Sequence, residues 1–159
     1  LNFYIYGGEK QDALNLKKLY RSKNLIFKPY INQKALELKM KKMDVLLLPY
    51  TTKITVAGDV GNMKKYTSPL KMFDYLASGK IIVASNIRVL NEILQDEYNC
   101  FMVKNYLTKD SWVKKFKKIL SDPVKRNQIA LNALNSSRQY DTKNRSEKIV
   151  SFFKNETVI

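Results

Sequence analysis

Short apolar runs alternate with longer segments in which apolar residues recur every three or four positions. The short runs predict β-strands at residues 2–6, 24–28, 44–48, 81–85 and 100–103. The periodic segments predict helices at residues 12–21, 33–43, 69–78, 88–94, 109–120, 123–138 and 142–155. Because strands and helices alternate through the first hundred residues, the pattern favours an α/β fold with a parallel sheet and helices on both faces.

The most informative stretch is residues 66–85, which combines a helix start, a helix stop and a buried strand. Ser68 is a favourable N-cap, because its hydroxyl can accept a hydrogen bond from an amide of the first turn. Pro69 then occupies the first helical position, where its missing N–H is not needed. Gly79 is expected to end the helix in a left-handed conformation. The β-branched run that follows predicts a strand buried on both faces.

Two charged side chains stand on this otherwise apolar helix. Lys71 and Asp74 are three positions apart, so they share one face of the helix. Lys71 lies in the first turn, where the helix dipole disfavours a cation, and this placement indicates an anion close by. The alternative is that the two side chains pair with each other at the surface.

The charge balance is strongly basic, because 29 Lys and Arg stand against 14 Asp and Glu and give a formal charge of +15. This excess fits three kinds of partner: nucleic acid, an anionic membrane surface, or phosphorylated small molecules. The sequence is also rich in Lys, Asn and Ile, as AT-biased genomes tend to encode. That bias is an alternative explanation of the charge.

Basic residues are dense in the helix predicted at residues 109–120. Four lysines lie opposite four apolar residues there: Lys114, Lys115, Lys117 and Lys118 against Val113, Phe116, Ile119 and Leu120. The pattern predicts an amphipathic helix whose basic face points to solvent, with membrane docking as the alternative.

Missing residue types exclude several kinds of chemistry. The sequence has no histidine, which removes histidine bases, Ser-His-Asp triads and most zinc sites. No Asp-x-Asp pair occurs, so a metal ion on a diphosphate has no evident ligands, and we predict neither a metal nor another cofactor. The one cysteine, Cys100, lies in an apolar stretch and is expected to be a buried small hydrophobe rather than a nucleophile.

No apolar run is long enough to span a membrane, and no secretory signal pattern opens the chain. A single cysteine cannot form an internal disulfide, which fits a reducing compartment, so we expect a cytoplasmic protein. Leu1 is not a start methionine and is followed at once by a predicted strand, so we expect the chain to be part of a longer protein. Residues 1–159 are expected to form one domain that lacks its first strand region.

Ligands of open α/β sheets bind beyond the carboxyl ends of the strands. Three candidate segments lie there: Gly7 and Gly8 after the first strand, Pro49 and Tyr50 after the third, and the helix start at residues 68–71. Free amides at a helix N-terminus bind phosphate well, and the lysine of this first turn adds a charge. The acidic residue one turn further on is placed to accept hydrogen bonds from ribose hydroxyls. The segments together fit a nucleoside diphosphate.

Three runs of residues carry a resemblance to a known family. They read DVLLLPY at residues 44–50, SPLKMFDYLASGKIIVAS at residues 68–85 and NEI at residues 91–93. With these runs the chain resembles the C-terminal domain of group 1 glycosyltransferases, the retaining enzymes of family four with the two-domain GT-B fold. The resemblance covers nearly the whole chain and implies a Rossmann-like domain that binds a nucleotide-sugar donor.

In that family a Glu-x7-Glu pattern brackets the start of this helix. Its second Glu, which holds the ribose, falls on Asp74, a shorter carboxylate of the same charge. Its first Glu, near the donor sugar, falls on Tyr66, so a carboxylate at that point has to come from the loop, with Asp59 as the candidate. The resemblance places the family's pyrophosphate contacts on the backbone amides of Leu70 and Lys71.

The resemblance further implies transfer of a hexose, from GDP-mannose or a UDP-hexose, to an acceptor hydroxyl with retention at the anomeric carbon. It places the acceptor site on an N-terminal domain, and the phosphate-binding Arg and Lys in a segment before Leu1. The expected acceptor is a bacterial surface glycan such as lipopolysaccharide core or capsule, or another lipid-linked glycan. The basic charge would then hold the enzyme at the anionic inner face of the cytoplasmic membrane.

Two other functions are weighed against this one. Tyr66, in place of a carboxylate, fits a nucleotide-sugar-binding module without turnover. A nucleic-acid-binding α/β domain needs aromatic residues interleaved with Lys on one exposed face, whereas the 10 tyrosines here are scattered. We therefore expect a glycosyltransferase domain without a nucleic-acid partner. The isolated chain should show no transferase activity, because half of the cleft is missing.

Overall fold

The chain forms two compact units, Leu1–Lys42 and Met43–Ile159, each built from parallel strands and helices. The structure, a computed structural model, describes residues 1–51 and 70–156. Within these ranges every strand and helix predicted above is present, with bounds that differ by a few residues at most. The α/β class and the parallel pairing are therefore confirmed.

The first unit alternates two strands with two helices: β1 (Phe3–Tyr6), α1 (Lys10–Leu19), β2 (Leu25–Lys28) and α2 (Gln33–Met40). β1 and β2 pair in parallel, with Phe3 beside Leu25. α2 begins after Asn32, whose side-chain Oδ1 accepts a hydrogen bond from the amide of Ala35 over 2.9 Å. This N-cap satisfies an amide that has no partner within the helix, and it explains why α2 starts at that point.

The second unit contains a parallel sheet in the order β3-β4-β5, from strands β3 (Val45–Leu48), β4 (Ile81–Ser85) and β5 (Phe101–Val103). Among its described residues five helices accompany the sheet: α3 (Leu70–Ala77), α4 (Arg88–Asn91), α5 (Lys109–Ser121), α6 (Pro123–Ser137) and α7 (Thr142–Glu156). A short 3-10 turn, Arg138–Tyr140, connects α6 to α7. The central strand β4 has the bounds that its β-branched run predicts.

The core lies on both faces of β4, whose residues are all buried. Ile82 belongs to an apolar cluster that includes Met72 of α3, and Val83 belongs to a second cluster that includes Ile119 of α5. Because neighbouring residues of a strand point to opposite faces, α3 and α5 cover opposite sides of the sheet. The prediction of helices on both faces is therefore confirmed for this unit.

α3 is fixed at its end and along one side. Gly79 has a φ of +63°, the left-handed conformation predicted for the helix stop. A Cβ at Gly79 would lie 3.6 Å from the side chain of Leu134, so α6 passes close to this turn. The rings of Phe73 and Tyr140 lie in an edge-to-face arrangement, with centroids 5.2 Å apart. This contact joins α3 to the 3-10 turn that follows α6.

The interpretation of α5 as a helix with four solvent-facing lysines was wrong in part. The side chain of Lys115 is only 16% exposed, and its Nζ lies 3.3 Å from Oδ1 of Asp96. Lys118 donates a hydrogen bond to the carboxylate of Glu97. Val113 and Leu120, expected on the buried face, are exposed. The acidic pair, which lies between α4 and β5, binds two of the lysines, whereas Lys114 and Lys117 are exposed as predicted.

Candidate functional site

The carboxyl ends of the three parallel strands of the second unit lie at one edge of the sheet. β3 ends in front of Pro49 and Tyr50, β4 ends at Ser85, and β5 ends in front of Lys104. In open α/β sheets this edge is where ligands bind. Pro49 and Tyr50, predicted from the sequence as donor-binding residues, therefore follow directly from a strand at the expected edge.

Tyr50 packs, half-buried, against the same apolar cluster that holds α3. Burial raises the pKa of its phenol. Burial also raises the pKa of Tyr75 on α3, and the nearby Tyr50 and Asp74 raise it further. Tyr50 and Tyr75 thus pack against one apolar cluster, and Tyr75 directly follows Asp74 on α3.

α3 presents its predicted ligand-binding residues on the side away from the core. Leu70 is 80% exposed, Lys71 is exposed and Asp74 is partly exposed. Met72 and Leu76 on the opposite side are fully buried. Within the described residues no ion pair joins Lys71 to Asp74, so the alternative in which they only neutralise each other finds no support.

Gly7 and Gly8 form the turn between β1 and α1 in the first unit. Both have positive φ, and a Cβ at Gly8 would lie 2.8 Å from Oδ2 of Asp12. That carboxylate oxygen accepts a hydrogen bond from the amide of Glu9 over 2.8 Å, so the side chain of Asp12 caps the start of α1. The local turn is sufficient to explain the glycine at position 8. A role of the Gly7-Gly8 pair in donor binding stays a prediction.

Four residues of the predicted site lie outside the described residues: Asp59, Tyr66, Ser68 and Pro69. They are the two candidates for the sugar-facing position and the two residues of the predicted helix start. Their roles stay predictions.

Among the residues that the structure describes, no group of three or more Cys, Asp or Glu side chains is placed to hold a metal ion. Cys100 is fully buried, and burial raises the pKa of its thiol to about 12, with nearby Asp96 adding to the effect. A thiol that stays protonated is a poor nucleophile and a poor metal ligand. The prediction that Cys100 is a buried small hydrophobe is confirmed.

Ser85 was not among the residues predicted for the site. It ends β4 at the ligand-binding edge, is 1% exposed, and its Oγ has no hydrogen-bond partner among the described residues. Buried hydroxyls without a partner are uncommon and often belong to a functional site. The signal in the sequence is a serine at the end of a run that is otherwise apolar, directly at the carboxyl end of a central strand.

Parallel sheets flanked by helices, with a ligand-binding edge, place the chain in the Rossmann-like α/β class. The family model described as "Glycosyl transferases group 1" matches residues 1–136. The chain therefore belongs to the group 1 glycosyl transferases. No curated protein sequence matches the chain significantly.

Several solved structures are similar to this chain in fold. Anabaena HepE, crystallised in complex with UDP-glucose, matches with a TM-score of 0.70 at 15% identity over 97% of this chain and 41% of HepE. Sucrose-phosphate synthase from Thermosynechococcus elongatus matches with a TM-score of 0.72 at 14% identity, over 97% of this chain and 38% of the synthase.

A third match is the C-terminal domain of a group 1 glycosyl transferase, LpcC from Francisella tularensis, with a TM-score of 0.58 at 20% identity. It covers 84% of this chain and 62% of the LpcC domain. The chain thus spans less than half the length of HepE and of the synthase. The resemblance to the C-terminal domain of GT-B enzymes is confirmed at the level of family and fold.

Proposed function

We propose that this chain is the donor-binding domain of a retaining hexosyltransferase. It binds a nucleotide-diphospho-sugar at the carboxyl edge of its sheet, and an N-terminal domain supplies the acceptor site. The proposal is carried by α3, the helix that follows the carboxyl end of β3 along the chain and bears Lys71, which is exposed, and Asp74, which is partly exposed. Membership of the group 1 glycosyl transferases supports the reaction class.

In the proposal, different residues bind different parts of the donor. Asp74 accepts hydrogen bonds from the ribose hydroxyls, because a partly exposed carboxylate near the helix start can reach a bound nucleotide. Lys71 and the amides at the start of α3 face the diphosphate, where a cation and the helix dipole both favour negative charge. Tyr50 lines the site from the end of β3. This electrostatic support would stabilise the diphosphate as it leaves the sugar.

We propose that the base of the donor nucleotide is uracil, with guanine as the alternative. HepE, which has this fold, was crystallised with UDP-glucose and with UDP. The sugar-facing position belongs to Tyr66 in the proposal, with Asp59 as the candidate carboxylate. The proposed acceptor is a bacterial surface or lipid-linked glycan, such as lipopolysaccharide core or capsule.

The excess of positive charge, +15 in all, supports a peripheral contact with an anionic membrane. No helix in the described ranges is long and apolar enough to cross a bilayer. Vesicle sedimentation tests the contact: the protein should bind vesicles that contain phosphatidylglycerol and should not bind phosphatidylcholine alone. Equal binding to both kinds of vesicle would contradict it.

Calorimetric titration with UDP and GDP tests the donor site. Replacement of Asp74 by Ala should weaken binding of the preferred nucleotide by roughly 1–3 kcal/mol, the loss of charge-assisted hydrogen bonds. Asp110→Ala, which removes an exposed carboxylate from the first turn of α5, is the matched control and should bind like the unaltered protein. Equal affinity of the Asp74→Ala and unaltered proteins, with the fold intact, would remove Asp74 from the site.

A second variant tests whether Lys71 interacts with the diphosphate or with the nucleoside. Lys71→Ala should weaken binding of UDP more than binding of uridine, because the ammonium group acts on phosphate charge. Lys117→Ala, on the exposed side of α5, provides the control for the loss of one positive charge. Equal losses for UDP and uridine would assign Lys71 a packing role.

Turnover requires the intact enzyme, and thermal-shift screening with UDP-, GDP- and ADP-sugars identifies its donor. A donor that raises the unfolding temperature is then incubated with lipid-linked acceptors, and the anomeric configuration of the product is determined by NMR. A product with inverted configuration would contradict the retaining reaction. Tight donor binding without any product or hydrolysis would favour a binding module.

A further inference from the structure

A cavity between β5 and α5 lies apart from the residues proposed for donor binding. It is a depression open to solvent, with a volume of about 330 Å³. Its lining includes four lysines and two neutral polar residues: Lys104, Lys114, Lys115, Lys118, Asn105 and Ser111. We call these six residues the lysine pocket. Met102 and Val103 of β5 complete the wall with buried apolar side chains.

The positive charge of the lysine pocket is only partly compensated. Lys115 pairs with Asp96 and Lys118 with Glu97, and neither acid lines the cavity. Lys104 and Lys114 are exposed, and within the described part of the chain no carboxylate pairs with either. Four cations around one concave surface raise the local potential and attract anions.

A neighbouring cavity of about 190 Å³ shows the difference that compensation makes. Two lysines line it, Lys118 and Lys125, and both donate hydrogen bonds to the carboxylate of Glu97. Asp122 places a carboxylate in its wall, whereas Glu97 does not line it. A carboxylate in the wall disfavours the entry of an anion there. The lysine pocket contains no acidic residue in its lining and differs in this respect.

We propose that the lysine pocket binds a phosphate group, carried either by a soluble phosphate ester or by a phospholipid headgroup. Lys ammonium groups bind phosphate as point charges, and the side-chain amide of Asn105 adds a neutral hydrogen-bond donor. A phosphate offers several acceptor oxygens and up to two negative charges, which suits this number of donors. A bound anion also relieves the repulsion between the lysines. The inference does not depend on the donor site on α3.

The test compares two double variants that carry the same net charge. Lys104→Gln with Lys114→Gln removes the two uncompensated cations of the pocket. Lys109→Gln with Lys117→Gln removes two exposed cations of α5 that do not line it. Inorganic phosphate is titrated into the ¹⁵N-labelled chain and followed by NMR. The amides of the pocket residues should shift in the unaltered protein and in the α5 variant with the same dissociation constant.

The pocket variant should bind phosphate about tenfold more weakly, from the loss of two charge-assisted contacts on an exposed surface. The proposal is overturned if phosphate leaves the pocket amides unshifted, or if both double variants weaken binding equally, since the effect would then be one of net charge. Binding to vesicles that contain phosphatidylglycerol then distinguishes a phospholipid from a soluble ester as the source of the phosphate. Vesicle binding that falls more in the pocket variant than in the α5 variant assigns the phosphate to a lipid. Equal vesicle binding by both variants, with phosphate binding still dependent on the pocket, assigns it to a soluble ester.

Discussion

Nδ2 of Asn99 donates a hydrogen bond to Oγ of Ser136 over 3.3 Å, and both side chains are buried although the residues lie 37 positions apart. Asn99 also makes two hydrogen bonds to residues close in sequence. Its Oδ1 accepts from the amide of Gln95, and its Nδ2 donates to the carbonyl of Ile93. Oγ of Ser136 donates a hydrogen bond to the carbonyl of Asn132. This small network joins the segment before β5 to α6.

Replacement of Asn99 by Ala should destabilise the fold by about 1–3 kcal/mol, because it removes the partner of the buried Ser136 hydroxyl and of two partly buried backbone groups, the amide of Gln95 and the carbonyl of Ile93. The free energy of unfolding in urea measures the effect. Gln128→Ala is the matched control on α6, since that side chain is exposed and bonds only to Asn132 of the same helix. A loss no larger than that of the control would show that the network adds nothing to stability.

A second prediction concerns acid and rests on Glu97, which accepts hydrogen bonds from both Lys118 and Lys125. These bonds lower the pKa of its carboxyl from 4.5 to about 2. As pH falls below 4.5, the unfolded chain takes up a proton before the folded one does, so the stability from Glu97 is present above pH 4.5 and lost between pH 4.5 and 2. The side chain is 34% exposed, so solvent screens part of the effect.

Urea unfolding of Glu97→Gln at pH 7, pH 4.5 and about pH 3 tests this prediction. The variant should be less stable than the unaltered protein at neutral pH, and the difference should shrink as the solution becomes acidic. Glu147→Gln removes one partner of an exposed ion pair with Lys143 and serves as the control, with a smaller change at every pH. A difference that stays constant across this range would contradict the assignment.

Local elements were predictable because their signals lie within a few neighbouring residues. The run at residues 81–85 and the stop at Gly79 predict the end of α3 and the bounds of β4 without any knowledge of the rest of the chain. Alternation of such elements then predicts the parallel α/β fold. The likeness of residues 68–85 to a family motif added the functional class, which the family match confirms.

Long-range pairings were not predictable in the same way. Helical periodicity says which side chains share a face of α5, but it does not say that Asp96 lies against that helix and attracts Lys115. The contact of Tyr50 with α3 likewise depends on how the elements pack. Asp59 and Tyr66 belong to a polar segment without periodicity, and their roles rest on the family resemblance alone.

A third prediction concerns Cys100, whose thiol has a pKa raised to about 12 by burial. At about pH 8 the folded protein should react with a thiol reagent roughly a thousandfold more slowly than the urea-unfolded chain, because almost no thiolate forms and access is blocked. Absorbance at fixed reagent concentration gives both rates. Rapid labelling of protein that keeps its native circular dichroism would show that the thiol is accessible.

The last prediction uses the contrast between two serines beside β4. Ser78 is satisfied, since its Oγ donates to the carbonyl of Tyr75 over 2.6 Å and accepts from the amide of Lys80. Ser85 is buried, and its Oγ has no partner within the described residues. Burial of a hydroxyl without a hydrogen bond is unfavourable, so its removal should not harm the fold.

Ser85→Ala should therefore leave the free energy of unfolding unchanged or raise it by up to about 1 kcal/mol, whereas Ser78→Ala should lower it by about 1 kcal/mol. If the Ser85 hydroxyl is retained for a ligand at the carboxyl edge, the same Ser85→Ala protein binds UDP more weakly despite its equal or greater stability. Thermal unfolding and calorimetric titration with UDP, carried out on both variants, separate the two effects. Destabilisation by Ser85→Ala as large as that by Ser78→Ala would mean that its hydroxyl has a structural partner after all.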